Sequence, residues 1–145
     1  MKDYADTGFV CSLYAPDAHT DRALDQIEKQ REPICFSWLN QVEFRNALRL
    51  RVFRKEISIT ERDRSLNLLL ADLSAGVFSH VEIPDSSVLI EAERLSARHS
   101  EKLGTRSLDI LHVAMAVSLG CQRFLSFDRR QVKLAKATGL TAPKL

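Results

Sequence analysis

The sequence predicts an α/β fold built on a mostly parallel sheet with helices on both faces. Three observations lead there. Short apolar runs alternate with stretches of helical periodicity along the whole chain, the pattern of repeated βαβ units. Those runs are apolar throughout, as strands covered on both faces are. The chain has 145 residues, of which 45% are hydrophobic and only 5 are Gly and 4 Pro. That suits one domain, residues 1–145, with a real core and no linker.

The elements follow in order. DYADTGFV reads as a short strand ending near Asp6, with a helical stretch through about Tyr14. APDAHTD breaks it. A second helix from about Asp17 to Arg31 carries Ala23, Leu24 and Ile27 on one face. Pro33 ends it, and EPICFS is a buried strand. Ser37 is the expected N-cap of a long helix, SWLNQVEFRNALRLRVFRK, whose apolar stripe by 3.6 spacing is Leu39, Val42, Ala47, Leu50 and Phe53. Thr60, with Asp63 three residues on, is the expected cap of the next helix, and Gly76 closes it. GVFSHVEIP is a strand stopped by Pro84. Residues 85 to about 99 are helical, with Leu89, Ala92, Leu95 and Ala97 among the apolar positions. Ser107 is the expected cap of SLDILHVAMAVSLG. CQRFLSFD is a strand, DRRQVKLAKATGL a helix ended by Gly139, and LTAP a last short strand.

Composition excludes several classes. No apolar run approaches the ~20 residues that cross a bilayer. The opening MKDYADTGFV places acids where a signal peptide needs a basic segment, so a cytoplasmic protein is expected. Cys11, Cys35 and Cys121 are odd in number, unpaired in spacing and set among apolar neighbours. They read as small buried hydrophobes, not as a disulfide framework or a zinc site. The net charge of +2 announces no polyanion partner. The strip Arg45, Arg49, Arg51, Arg54 and Lys55 contains no acid. It would suit phosphates, although charge alone favours a solvated helix face.

The informative residues are acids. Asp6 and Asp128 each fall at the carboxyl end of an expected strand, where open α/β sheets build their sites. Glu43 and Asn46 fall inside the apolar stripe of their helix, where a carboxylate is costly unless paired. Asp109 sits in the first turn of a helix that is apolar nearly all round. A favourable charge at a helix N-terminus is the other explanation for it. His112, one turn on, reads as a satisfied core histidine. Four carboxylates brought together cannot all stay ionised without a cation. Hard oxygen donors without cysteine or paired histidine select Mg²⁺ or Mn²⁺. Such a site suits phosphodiester hydrolysis, a phosphatase or a plain metal-binding module, and spacing does not decide among them. The triplet Asp6-Thr7-Gly8 matches an aspartic-protease signature, but the helical pattern rules out the all-β fold it needs. A haloacid-dehalogenase phosphatase needs an acid where Gly8 stands. A receiver domain needs adjacent acids that are missing, and no phosphate-cradling glycine loop exists.

YADTGFVCSLY, WLNQVEFRNAL, SLDILHVAMA and FLSFDRRQVKLAKATGL, in this order and spacing, resemble a PIN domain, most of all the VapC-type toxins of bacterial type II toxin–antitoxin systems. The resemblance runs from residue 2 to about residue 140. It implies a Rossmann-like three-layer α/β/α sandwich and an endoribonuclease that uses Mg²⁺ or Mn²⁺. It implies a metal-binding acidic site from Asp6, Glu43, Asp109 and Asp128, with hydroxyl support from Thr7 and Ser126. Gly8 stands where serine is common and Ser126 where threonine is usual; neither removes a carboxylate. Arg45, Arg49 and Arg106 are the candidate contacts to RNA phosphates. The expected partners are an RNA substrate such as tRNA, a second copy in a homodimer, and a small antitoxin that commonly inserts an arginine into the acidic site. The alternatives are a PIN-domain nuclease of RNA processing, a metal- or RNA-binding module without hydrolysis and, well below these, a phosphatase.

Overall fold

In the computed structural model, which describes residues 1–145, the expected alternation is present. The strands are β1 (Asp3–Ala5), β2 (Ile34–Phe36), β3 (Phe78–His80) and β4 (Arg123–Leu125). The helices are α1 (Thr7–Tyr14), α2 (Thr20–Glu28), α3 (Trp38–Phe53), α4 (Ile59–Ala75), α5 (Asp85–Leu95), the single turn α6 (Glu101–Leu103), α7 (Ser107–Ser118) and α8 (Arg129–Ala137). A π-helical turn, Ser96–Ser100, joins α5 to α6.

The strands form one parallel sheet in the order β3-β2-β1-β4. Tyr4 pairs with Cys35 on one side and with Phe124 on the other. The chain steps outward from β1 to β2 and β3, then crosses back to place β4 on the far side of β1. The order therefore reverses between β1 and β4, and the carboxyl ends of these two strands flank the crevice where sites form in such sheets. The expected last strand reduces to one bridge between Thr141 and Arg123.

Successive strand residues serve opposite faces. Tyr4, Cys35 and Phe124 enter one apolar layer with Val88, Leu95, Val113, Met115 and Leu134. Ala5, Ile34, Phe36 and Leu125 enter the other with Phe9, Phe44, Leu48 and Leu69. Helices α5, α7 and α8 cover the first face; α1, α3 and α4 cover the second. Burial on both faces is why these strands carry no polar alternation. The exceptions are Asp3, buried and paired with Arg123, and Ser79 and His80, exposed on the edge strand β3.

Three local expectations are corrected. In α3 the buried row is Asn40, Phe44 and Leu48, joined by Leu39, while Val42, Leu50 and Phe53 are exposed. Both rows satisfy helical spacing, and packing against α1 and α4 selects the i, i+4 row. Asn46 is exposed with the rejected stripe, and Leu89 of α5 is exposed too. The cap of α4 is Ser58, whose hydroxyl accepts from the Glu61 amide while Glu61 accepts from the Ser58 amide. Gly76 closes α4 as expected, with φ of 79°, a conformation glycine adopts without cost. The reciprocal cap predicts an asymmetry: Ser58→Ala should lower stability by ~1 kcal/mol. Thr60→Ala, at an exposed position inside the helix, should stay within ~0.5 kcal/mol of wild type. Equal losses in chemical denaturation would refute the assignment. The cap of α7 is Arg106, not Ser107.

Candidate active site

Asp6 follows β1 and caps α1. It is 2% exposed, and its Oδ1 accepts from the Phe9 amide at 2.7 Å. Its Oδ2 accepts from the Ser126 hydroxyl just beyond β4. Ser126 Oγ in turn accepts from the Asp128 amide at 2.9 Å. Asp128 caps α8, its Oδ1 accepting from the Arg130 and Gln131 amides at 2.7 and 3.3 Å. One serine thus ties the Asp6 carboxylate to the backbone of Asp128 across the point where strand order reverses.

A second group enters from the helices. Glu43 Oε1 accepts from the Thr7 hydroxyl at 3.0 Å and meets Nε2 of His112. Nδ1 of His112 lies 2.8 Å from the Tyr4 hydroxyl, which contacts Ser37 at 2.9 Å. Asn40 closes this network by donating to the carbonyl of Ala5 at 3.0 Å and to Thr7 Oγ1 at 3.4 Å. Asp109, 4% exposed, accepts through Oδ2 from the Arg106 amide at 3.2 Å. The Arg106 side chain reaches Asp109 at 3.5 Å and Asp128 at 3.7 Å. Both contacts are long and the arginine is exposed, so they hold it weakly.

These residues face a cavity of about 340 Å³ lined by Thr7, Gly8, Glu43, Arg106, Asp109, His112 and Gln131, among others. Asp6 lies just beneath: a Cβ on Gly8 would be 3.5 Å from Asp6 Oδ1. That is ordinary contact, so the missing side chain widens the mouth without any steric need. Burial pushes the Asp6 carboxyl above its ordinary value, and hydrogen bonds from Ser126 and Phe9 offset part of this. For Glu43 burial acts upward as well, but His112 and Thr7 outweigh it and hold the group below its ordinary value.

Of the expected residues, Asp6, Ser126, Asp128, Arg106 and Asp109 are linked in one group and Thr7 and Glu43 in a second. Arg45 and Arg49 stand apart, in a shallow cleft with Arg62 and Asp63 between α3 and α4. Two residues go beyond the sequence-based set. His112 is buried and hydrogen-bonded, as a satisfied core histidine is, and one of its partners is Glu43. Gln131 lines the cavity, and its buried Oε1 has no hydrogen-bond partner. The signal for Gln131 was its place in the first turn after Asp128; nothing in its residue type marked it.

Carboxylates, hydroxyls and an orphaned amide oxygen make a donor set that fits a hard divalent cation. Nevertheless no three His, Cys, Asp or Glu side chains converge closely enough to hold an ion as they stand. Positive charge between Asp109 and Asp128 is supplied by Arg106. No helix is long and apolar enough to cross a membrane.

The same architecture occurs in solved structures. PAE2754 from Pyrobaculum aerophilum superimposes with a TM-score of 0.65 at 21% identity, covering 98% of this chain and 83% of that one. VapBC2 from Rickettsia felis, bound to a DNA fragment from its promoter, gives 0.67 at 12% identity, covering 99% and 98%. FitAcB from Neisseria gonorrhoeae gives 0.63 at 14% identity, covering 97% and 95%. At these identities the likeness is one of fold. Among curated protein sequences no relative matches. The family model of the PIN domain matches residues 4–137, a span that begins in β1 and ends with α8 and so contains every residue of the crevice. The chain belongs to the PIN domain family.

Proposed function

We propose that the chain is a metal-dependent endoribonuclease and the toxin of a toxin–antitoxin pair. One observation carries the proposal: Glu43 of α3 and Asp109 of α7 line the cavity beside the ends of β1 and β4, where Asp6 and Asp128 cap the following helices. Asp6, Glu43, Asp109 and Asp128 would hold Mg²⁺ or Mn²⁺, which when bound lowers the pKa of water and stabilises charge on a phosphate undergoing displacement. The chain's own residues have separate tasks. Thr7 and His112 fix Glu43, and Ser126 fixes Asp6 relative to Asp128. Arg106, weakly held and exposed, is placed to leave its carboxylates for a phosphate. Resemblance to VapC-type toxins, and likeness in fold to VapBC2 and FitAcB, support a small antitoxin as partner. A homodimer in the cytoplasm accords with the same resemblance. A dense acidic crevice suits an inserted arginine.

The test is incubation of a tRNA pool with purified protein and Mn²⁺, with and without chelator. Cleavage that stops with chelator and leaves 5′-phosphate and 3′-hydroxyl ends is expected. Contaminating ribonucleases that need no metal would cut in both conditions and leave cyclic phosphates. Cyclic phosphate ends from the pure protein would overturn the chemistry. A second reading, a binding module without hydrolysis, draws on the lack of three converging metal ligands; RNA left intact by Mn²⁺-loaded protein would favour it. Growth unaffected by expression would favour a role in RNA processing over a toxin.

A further inference from the structure

Beside the acidic crevice lies a groove of about 600 Å³ between the start of α2, α8 and residues 143–145. Its walls carry Arg22, Arg129, Lys133, Lys136 and Lys144 and no acidic side chain. None of these five pairs with an acidic side chain, whereas Arg51, Arg62, Arg94, Arg106 and Arg123 all do; Arg22 donates to the main-chain oxygen of Leu145 at 3.1 Å. Arg129, Lys133, Lys136 and Lys144, with no acidic partner around one groove, repel each other and attract a polyanion.

The groove also has an aromatic wall. Phe127 stacks on Phe9 at 5.7 Å and on His19 at 4.3 Å, the latter pair within 8° of parallel. The Arg22 guanidinium lies over Phe127 at 5.2 Å and contacts Nδ1 of His19. His19 is half-buried and lines the groove. Its ring is held from behind by Phe127 and from the side by Arg22, which leaves the face away from Phe127 for a further planar group. A preset ring flanked by cations is the arrangement that takes an unpaired base.

Groove and crevice are neighbours. Ser126 lines the groove and donates to Asp6. Asp128, between Phe127 and Arg129 in the chain, reaches Arg106 in the crevice. We propose that this groove seats a single-stranded segment of the substrate, with one unpaired base stacked on His19 and phosphates on the α8 cations. That polymer is RNA on the ribonuclease reading above, on which this proposal rests. A duplex has its base faces occupied by its own stacking and cannot use the platform.

Binding of a fluorescent single-stranded 12-mer of uridylate, by anisotropy in chelator so that nothing is cut, tests this. His19→Ala should weaken binding about tenfold, and His19→Tyr should restore it. Lys133→Ala with Lys136→Ala should lower the slope of log affinity against log salt by about 1.4. Binding of the same length of RNA duplex should ignore His19. All three substituted positions are exposed or half-buried, and melting curves will show that the variants fold. Wild-type affinity and slope in every variant would overturn the proposal, as would an oligoglutamate held as tightly and with the same dependence on His19. Cleavage with Mn²⁺ is scored separately. Cleavage with groove-independent binding sinks this inference and leaves the proposed function. Groove-dependent binding with no cleavage does the reverse.

Discussion

Asp109→Asn is expected to cut RNA about 10³-fold more slowly than wild type, with a melting temperature within ~2 °C. The two halves of this result have different causes. The Asp109 side chain is 6% exposed, and its polar contacts in the structure are the Arg106 amide and guanidinium, both through Oδ2. An asparagine of the same shape keeps an oxygen for the amide, so the cap of α7 survives. What disappears is one unit of negative charge at the cavity wall. Metal-ion catalysis supplies several kcal/mol of charge stabilisation, and each ~1.4 kcal/mol is tenfold in rate. Losing about 4 kcal/mol of it gives the expected factor. Single-turnover cleavage of one labelled RNA, with equal folded protein, measures it. A rate within threefold of wild type would show that Asp109 is a helix cap and nothing more, as its first-turn position already allows.

The fold was legible because its signals were redundant. Each strand lies in a short, largely apolar run with turn chemistry after it, and parallel strands buried twice leave few polar positions to confuse the pattern. Asp6 and Asp128 were legible for the same reason, since a capping residue after a strand is fixed by the chain itself. Details set by packing were not. In α3, two apolar rows share one period, and only α1 and α4 decide between them. Glu43 was picked out from the row that turned out to be exposed, yet it lies half-buried between the two rows. His112 was read as core because a buried histidine usually is. Its partners Tyr4 and Glu43 lie 108 and 69 residues away in sequence, and no local pattern joins them. Arg45 and Arg49 drew notice as a run without acids. The cations that line the groove beside the crevice instead come from α2, α8 and the segment after it, assembled by topology.

Asp6→Asn is expected to melt above the wild type in chelator and below it in Mn²⁺. Asp6 is almost wholly buried with no cation in contact. Burial raises its carboxyl above the ordinary value of 3.8 despite the bonds from Ser126 and Phe9. A group whose folded value is raised contributes stability fully below its unfolded value, and that stability is lost as pH rises through the folded value. At pH 7 the metal-free wild type therefore holds a buried charge at a cost. Asparagine does not titrate, and its oxygen can still accept from the Phe9 amide. The advantage of the variant in chelator should accordingly shrink as pH falls from 7 toward 4. Metal reverses the order. An ion that binds only the folded state at about a hundred times its Kd adds about 2.7 kcal/mol, or roughly 10 °C at ~4 °C per kcal/mol for a chain of this size. The variant, short of one ligand charge, should gain little of that. Calorimetry at pH 7 and pH 4, with chelator and with Mn²⁺, reads all four conditions. A wild type that Mn²⁺ fails to stabilise would remove Asp6 from any metal site. An advantage in chelator that stays constant with pH would mean that the buried charge is not what destabilises the metal-free protein. The crossing of the two curves would identify Asp6 as a residue kept for function at the expense of stability.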